Sequence, residues 1–157
     1  MTQTLIAVDY QAEDAKQAFV KSLRETGFGV LKNHPIMQQT VADIYAKWQA
    51  FFDSEEKNQF TFNKDTQDGF FPSSVSEVAK GFKKKDIKEY YHFYPWGQCP
   101  EALREQLQDY YDQATNLASE LLSWVESESP GEVSKNYREP LSNMVKDSDQ
   151  TLLRVLH

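Results

Sequence analysis

Apolar residues recur at helical spacing in three stretches of the chain, which short apolar runs separate. In the first stretch Ala15, Phe19 and Leu23 follow one another at four-residue steps and so share one face of a helix. Gly27 comes next, at the position where helices commonly end in a left-handed residue. Two longer stretches repeat this pattern, and the second of them opens at a proline, which the first helical turn tolerates. The spacing predicts helices over about 13–26, 36–52 and 100–127.

Short runs of apolar and aromatic residues predict the strands. They cover about 4–9, 28–33 and 89–94, and an apolar strand closes the chain within 150–157. The region from residue 63 to residue 97, apart from the strand that begins at 89, is expected to be loop because glycine, proline and serine recur there. Helices and strands in this order predict a mixed α+β class.

Composition and charge narrow the classes of partner. The 157 residues carry 17 Lys and Arg against 24 Asp and Glu, a net charge of −7, which argues against binding to nucleic acid or to an anionic membrane. Cys99 is the single cysteine, so no disulfide framework is expected, and no apolar run is long enough to span a membrane. We therefore expect a cytoplasmic protein. One basic cluster is either a solvated loop or an electrostatic funnel for an anion, and it comprises Lys80, Lys83, Lys84, Lys85 and Lys88.

Five short motifs occur in a fixed order along almost the whole chain. The first reads Thr-Gly-Phe-Gly-Val-Leu-Lys-Asn-His-Pro-Ile, and a Phe-Phe pair followed by Glu-Glu-Lys comes second. Together the five resemble the N-terminal half of the isopenicillin N synthase-like oxygenases, although the first motif has proline where that family usually has glycine. Each motif alone is weak, and the ordered set is fairly specific. The motifs lie at 26–36, 51–57, 69–71, 86–93 and 153–157.

The resemblance implies a double-stranded β-helix, or jelly roll, that holds Fe(II) through a His-x-Asp…His triad and 2-oxoglutarate through a downstream Arg-x-Ser. Two histidines and one carboxylate leave coordination positions open for co-substrate and dioxygen. None of the three histidines here begins a His-x-Asp or His-x-Glu pair. We therefore expect residues 1–149 to be the helical and strand shell of such an oxygenase and 150–157 to be the first jelly-roll strand. On that expectation this chain holds no catalytic or metal-binding residue, and a continuation carries them.

Three predicted substrate-binding residues lie in or near the central strand motifs. Alternation along a strand puts Glu89 and Tyr91 on one face, which by resemblance looks into the substrate pocket, and Phe70 would form part of the pocket wall. A phenol can donate one hydrogen bond to a substrate, and a carboxylate can pair with a cationic group. The alternative is that all three belong to an ordinary sheet face packed on the long helix. His92, on the opposite face, is expected to be a hydrogen-bonded structural histidine.

Arg154 is the fourth predicted substrate-binding residue. A charged side chain in an apolar strand needs a partner or water, and alternation puts Arg154 and Leu156 on one side. By resemblance that side faces the barrel interior, where a guanidinium could hold a carboxylate of substrate or co-substrate through two hydrogen bonds. The alternative is an edge arginine that reaches solvent.

Two functions from different classes remain open at this point. In the first, the chain is part of a non-haem iron oxidoreductase that couples 2-oxoglutarate and dioxygen to the oxidation of a small molecule. In the second, it is a non-catalytic binding module derived from the same fold. A coding sequence that continues into a His-x-Asp pair would favour the enzyme, whereas a stop codon directly after His157 would favour the module.

Overall fold

The computed structural model describes residues 5–75, 78, 80, 81, 83, 85 and 87–157. These residues form two compact units, which are described separately below. The first unit comprises the described residues within 1–37 and 112–148, and the second comprises those within 38–111 and 149–157. The second unit thus contains the strand that was predicted to begin a jelly roll, together with the second predicted helix and the central strands. Both helices and strands are present, so the fold is mixed α and β.

The first unit contains a two-stranded parallel sheet and helical segments. Strand β1 (Val8–Asp9) precedes helix α1 (Ala15–Thr26) in the sequence, and strand β2 (Leu31–Lys32) follows it. The two strands pair with each other in parallel. As predicted, α1 ends at Gly27, which has φ of 78° and donates its backbone N–H to the Leu23 carbonyl. The C-terminal part of helix α3 (Glu101–Ser127) and the short helix α4 (Gly131–Ser134) complete this unit. Its core is formed by Val8, Ala15, Phe19 and Trp124.

The second unit packs helices against a three-stranded antiparallel sheet. Helix α2 (Gln38–Phe52) leads through a 3-10 turn (Glu55–Phe60) to strands β3 (Gly69–Phe71) and β4 (Tyr90–Phe93), and β5 (Leu153–Leu156) completes the sheet. The strand order is β3-β4-β5. Aromatic and aliphatic side chains of α2, the sheet and the start of α3 form the core, which includes Ile44, Trp48, Phe51, Phe52, Phe70, Tyr91, Phe93, Cys99, Leu107 and Tyr111.

The sequence prediction of a loop was wrong at β3. Gly69 has φ of 103°, and a Cβ built there would lie 2.3 Å from the Gln98 amide nitrogen and 2.6 Å from the Phe60 carbonyl oxygen. The glycine therefore serves a close approach of neighbouring groups, and the residues after it are free to pair with β4. Glycine is common in turns, and the sequence alone does not distinguish a glycine in a turn from one at the start of a short strand. Local composition therefore suggested a loop here.

The remaining elements differ from their predicted bounds mainly at their ends. Strands β1 and β2 pair over only two residues each, whereas longer runs were predicted. The helix predicted from residue 13 begins at Ala15, the one from 36 begins at Gln38, and the one from 100 begins at Glu101. A further helical piece appears as a 3-10 turn at Leu141–Met144.

Candidate functional site

Strand register divides the side chains of the three-stranded sheet between two faces. Paired residues of neighbouring strands point to the same side of a sheet. Phe70 pairs with Tyr91 and Tyr91 with Val155, and Phe93 pairs with Leu153, so these residues share one face, which we call the core face. The opposite face, which we call the aromatic face, carries Phe71, Tyr90, His92, Arg154 and Leu156.

This register corrects one sequence-based expectation. Tyr91 and Arg154 were both expected to look into a pocket or barrel interior, each from its own strand. Because His92, and not Tyr91, is the partner of Arg154, the two predicted residues lie on opposite faces of the sheet. Alternation within one strand gives the relative faces of that strand alone. The pairing between strands decides which faces coincide, and no local pattern reports it.

Tyr91 and Phe70 lie in the core, as the alternative interpretation had it. Tyr91 is 0% exposed and Phe70 is 2% exposed. The Tyr91 ring packs against Trp48 with centroids 4.8 Å apart, and its hydroxyl donates to the Gln98 carbonyl at 2.8 Å. Burial raises the pKa of the Tyr91 phenol well above its ordinary value, since the phenolate would be poorly solvated. Both side chains therefore lie packed in the core of this unit.

Cys99 lies in the same core and is also buried. Burial raises the pKa of its thiol to about 11. A thiol with so high a pKa is almost entirely protonated at neutral pH, and the thiolate is the nucleophilic form. Cys99 therefore packs as a small apolar residue.

Glu89 is held by two partners just before β4. Lys57 Nζ lies 3.2 Å from each of its carboxylate oxygens, and His157 Nδ1 lies 3.0 Å from Oε1. The backbones of Glu89 and His157 also exchange hydrogen bonds, and the His157 ring stacks on Phe52 with centroids 5.1 Å apart. The predicted role of Glu89, pairing with a cationic group, is thus taken by residues of the chain itself, which tie the end of β5 to β4 and to the turn after α2.

His92 and Arg154 form a hydrogen-bonded pair on the aromatic face. Arg154 Nε lies 2.9 Å from His92 Nε2, and His92 Nδ1 lies 3.0 Å from the Gln67 carbonyl oxygen. A guanidinium nitrogen is always a donor, so Nε2 accepts and Nδ1 carries the proton that the Gln67 carbonyl accepts. Burial lowers the pKa of His92 below its ordinary value, and the Arg154 charge adds to this effect, while the hydrogen bond to the Gln67 carbonyl partly opposes it.

Arg154 also covers the end of a stack of aromatic rings. Phe62 stacks on Phe71 at 4.3 Å with an interplanar angle of 17°, and Phe71 stacks on Tyr90 at 4.6 Å with an angle of 12°. The Arg154 guanidinium carbon lies 5.1 Å from the Tyr90 ring centroid, within the range of a cation–π contact. Among the described residues, no partner is recorded for its terminal Nη atoms, and the side chain is exposed. Arg154 therefore presents exposed guanidinium donors on the aromatic face.

An apolar groove of about 370 Å³ lies beside β5. Residues of α2, including Val41 and Tyr45, form one wall, Leu107 and Tyr110 of α3 form another, and the residues of β5 form the third. Its volume falls within the range of small-molecule sites. Phe70, Glu89 and Tyr91 do not line it, so this groove is separate from three of the four predicted substrate-binding positions.

The residues that the structure describes do not fit an iron site. No group of three or more His, Cys, Asp or Glu side chains among them is arranged to hold a metal ion. Both ring nitrogens of His92 are engaged by protein atoms, and His157 is bound to Glu89. His34 Nδ1 is buried without a hydrogen-bond partner, and it stands alone. The described residues therefore provide no ligand set for iron.

Two sequence-derived features fall partly outside the described residues. Lys84 of the basic cluster and Asp86 of the fourth motif lie outside the residues that the structure describes. Within the described part of the chain, Lys85 donates to the Ser74 carbonyl. In the same part, no helix combines the length and apolar character that a membrane crossing requires.

Comparison with known proteins identifies the family. Residues 5–117, more than half of the chain, match the family described as the N-terminal region of non-haem dioxygenase in morphine synthesis. The chain belongs to this non-haem dioxygenase N-terminal family. The resemblance drawn from the five ordered motifs is therefore confirmed for the N-terminal portion.

Individual relatives of this dioxygenase region include solved structures and a curated enzyme. A candidate oxygenase from Shewanella oneidensis is 56% identical, with a TM-score of 0.88 over 98% of this chain and 55% of its own. Mugineic-acid 3-dioxygenase of Hordeum vulgare is 29% identical over 70% of this chain and 35% of its own length. A full-length Neurospora crassa protein, solved in complex with alpha-KG, shares the fold at 18% identity, with a TM-score of 0.71 over 97% of this chain and 53% of its own. The chain thus spans between about a third and just over half of these relatives.

The pairing of His92 with Arg154 is the feature of this dioxygenase region that sequence reasoning missed. A structural role for His92 was expected, and its hydrogen bonds to Gln67 and Arg154 agree with that expectation. The signal that could have found the pair is the spacing of the two strand motifs, since aligning Tyr90 opposite Leu156 brings His92 opposite Arg154. The sequence does not specify that alignment without the fold.

Proposed function

We propose that this chain is part of an Fe(II)- and 2-oxoglutarate-dependent dioxygenase that oxidises a small molecule. The observation that carries the proposal is the family match over residues 5–117. The 56% identity to the Shewanella candidate oxygenase over nearly the whole chain supports it. The Neurospora structure holds alpha-KG, which supports 2-oxoglutarate as the co-substrate.

In this proposal the metal is bound by residues other than those described here. The described residues offer no ligand cluster. The relatives are about two to three times as long as the stretch they share with this chain, so they have room for a separate metal-binding region. We accordingly infer that residues 1–149 are the shell of a jelly roll and that 150–157 is its first strand.

The chain contributes a shaped and charged wall in this proposal. Arg154 would contact the substrate or co-substrate directly, because its guanidinium is exposed and its Nη atoms can hold a carboxylate. Phe70 and Tyr91 would support that wall from the core face. Glu89 would hold the end of β5 through Lys57 and His157. Of the four predicted positions, Arg154 would thus contact the bound molecule and Glu89 would hold the strand that carries it, whereas Phe70 and Tyr91 would stabilise the core beneath that strand without changing affinity.

The test is an anaerobic titration with Fe(II) and 2-oxoglutarate of the protein expressed from its complete gene. The expected result is a weak visible charge-transfer band that saturates with 2-oxoglutarate and is missing when either component is omitted. Oxygen should then convert 2-oxoglutarate to succinate. If no band forms and no succinate is produced, the protein is a non-catalytic binding module of the same fold.

A further inference from the structure

The Arg154 side chain is fixed at one end and free at the other. Its Nε–H donates to His92 at 2.9 Å, and its guanidinium plane lies over Tyr90 at 5.1 Å. These two contacts restrict the rotamers of a long side chain that would otherwise lose considerable conformational entropy on binding an anion. The two Nη groups have no recorded partner among the described residues. They lie on the side of the guanidinium away from the Nε–H that donates to His92, and their N–H donors are available to an anion.

His92 is in turn fixed by the backbone of Gln67. Gln67 has φ of 62°, a conformation that residues with a Cβ rarely adopt, and its carbonyl accepts the Nδ1 proton of His92 at 3.0 Å. The turn is stabilised by the Gln67 N–H, which donates to the Asn63 carbonyl at 2.8 Å. An uncommon backbone conformation thus sets the tautomer that leaves Nε2 as an acceptor for Arg154.

We propose that His92 is a positioning residue that orients the Arg154 guanidinium to bind a carboxylate group of the substrate or of 2-oxoglutarate. The inference rests on the proposed function and extends it from a binding residue to the relay that holds it, Gln67 to His92 to Arg154. A carboxylate fits because its two oxygens can each accept an N–H from one of the two remaining guanidinium nitrogens, Nη1 and Nη2. His92 itself does not contact the bound carboxylate.

The test compares four single variants and one double variant of the protein expressed from its complete gene. His92→Phe fills the site without an acceptor, and His92→Gln retains a side-chain oxygen that can accept from Arg154. Arg154→Gln removes the cation. Tyr94→Leu is the matched control, because Tyr94 directly follows β4, is also buried, and stacks on Trp96, whereas Arg154 packs on Tyr90. Each variant is loaded anaerobically with Fe(II), and the dissociation constants of 2-oxoglutarate and of benzoate, a simple carboxylate probe, are measured.

We expect His92→Phe to weaken carboxylate binding about tenfold, as for one hydrogen bond to a charged group. His92→Gln and Tyr94→Leu should stay within about twofold of the native protein, a change worth little free energy. Because His92 acts through Arg154, the double variant His92→Phe/Arg154→Gln should bind no more weakly than Arg154→Gln alone. Additive losses in the double variant, or equal losses in His92→Phe and His92→Gln, would overturn the proposal.

Nuclear magnetic resonance of the Zn(II)-loaded protein identifies which carboxylate is bound. A shift of the Arg154 Nε–H signal on addition of 2-oxoglutarate assigns the site to the co-substrate. A shift only when benzoate is added after 2-oxoglutarate assigns it to the primary substrate. No shift with either probe refutes the proposal. Failure of the proposed function is distinguishable, because the native protein would then lack the Fe(II) and 2-oxoglutarate band altogether.

Discussion

Tyr91 offers the clearest test of whether a predicted substrate-binding residue is instead a core residue. Replacing it with phenylalanine keeps the ring against Trp48 and removes only the hydroxyl, which donates to the Gln98 carbonyl at 2.8 Å. Loss of one buried hydrogen bond, with its acceptor left behind, should cost about 1–2 kcal/mol of unfolding free energy. Replacing it with alanine deletes a fully buried ring and should cost about 3–5 kcal/mol.

The assay is urea unfolding of the protein expressed from its complete gene, followed by tryptophan fluorescence. The Trp48 ring centroid lies 4.8 Å from that of Tyr91, so the fluorescence of Trp48 changes when this core unfolds. Equal slopes of free energy against urea concentration show that the variants change stability and not the denatured state. Tyr45→Phe is the matched control, because Tyr45 is 71% exposed and the same change there should cost less than about 0.5 kcal/mol.

The kinetic outcome separates the two roles of Tyr91. As a core residue, Tyr91→Phe should leave the KM of the primary substrate within about twofold while it lowers stability, because nothing that touches substrate has changed. The reasoning is refuted if Tyr91→Phe has native stability and a KM raised by about tenfold. That result would mean that the hydroxyl is available to substrate, contrary to its burial.

Three further predictions address other parts of the second unit. The native protein should lose stability as the pH falls below about 6.5. The pKa of His92 is lower in the folded state than in the unfolded state, so acid protonates the unfolded state preferentially. His92→Gln should remove this part of the loss in acid unfolding curves. Gly69→Ala should cost at least about 1–3 kcal/mol in the same unfolding assay, since alanine there is strained at φ of 103° and contacts Phe60; an unchanged midpoint would exclude the close approach. Glu89→Gln should lower the free energy of unfolding by about 1–3 kcal/mol, because Lys57 loses its counter-ion. The double variant Lys57→Met/Glu89→Gln should recover part of that free energy. No recovery would argue against the ion pair.

Local patterns in the sequence were sufficient for the helices and for the ends that a cap defines. The four-residue steps through Ala15, Phe19 and Leu23 require only neighbouring turns of one helix, and Gly27 ends that helix by its own backbone preference. Strand β3 was missed for the opposite reason. It has only three residues, and its glycine is needed because Gln98 and the Phe60 carbonyl approach it from distant parts of the chain.

The candidate site shows the same division between local and non-local information. Alternation correctly put Arg154 and Leu156 on one side of β5, but it could not tell which side of β4 that face shares. One residue of register separates an arrangement in which Arg154 lies beside Tyr91 from the observed one in which it meets His92. The chemistry changes with that step, because Tyr91 could offer Arg154 only a phenol, whereas a neutral imidazole with a fixed tautomer offers a nitrogen acceptor. The sequence alone was therefore enough to single out Arg154, whereas its partner His92 became evident only from the strand pairing in the fold.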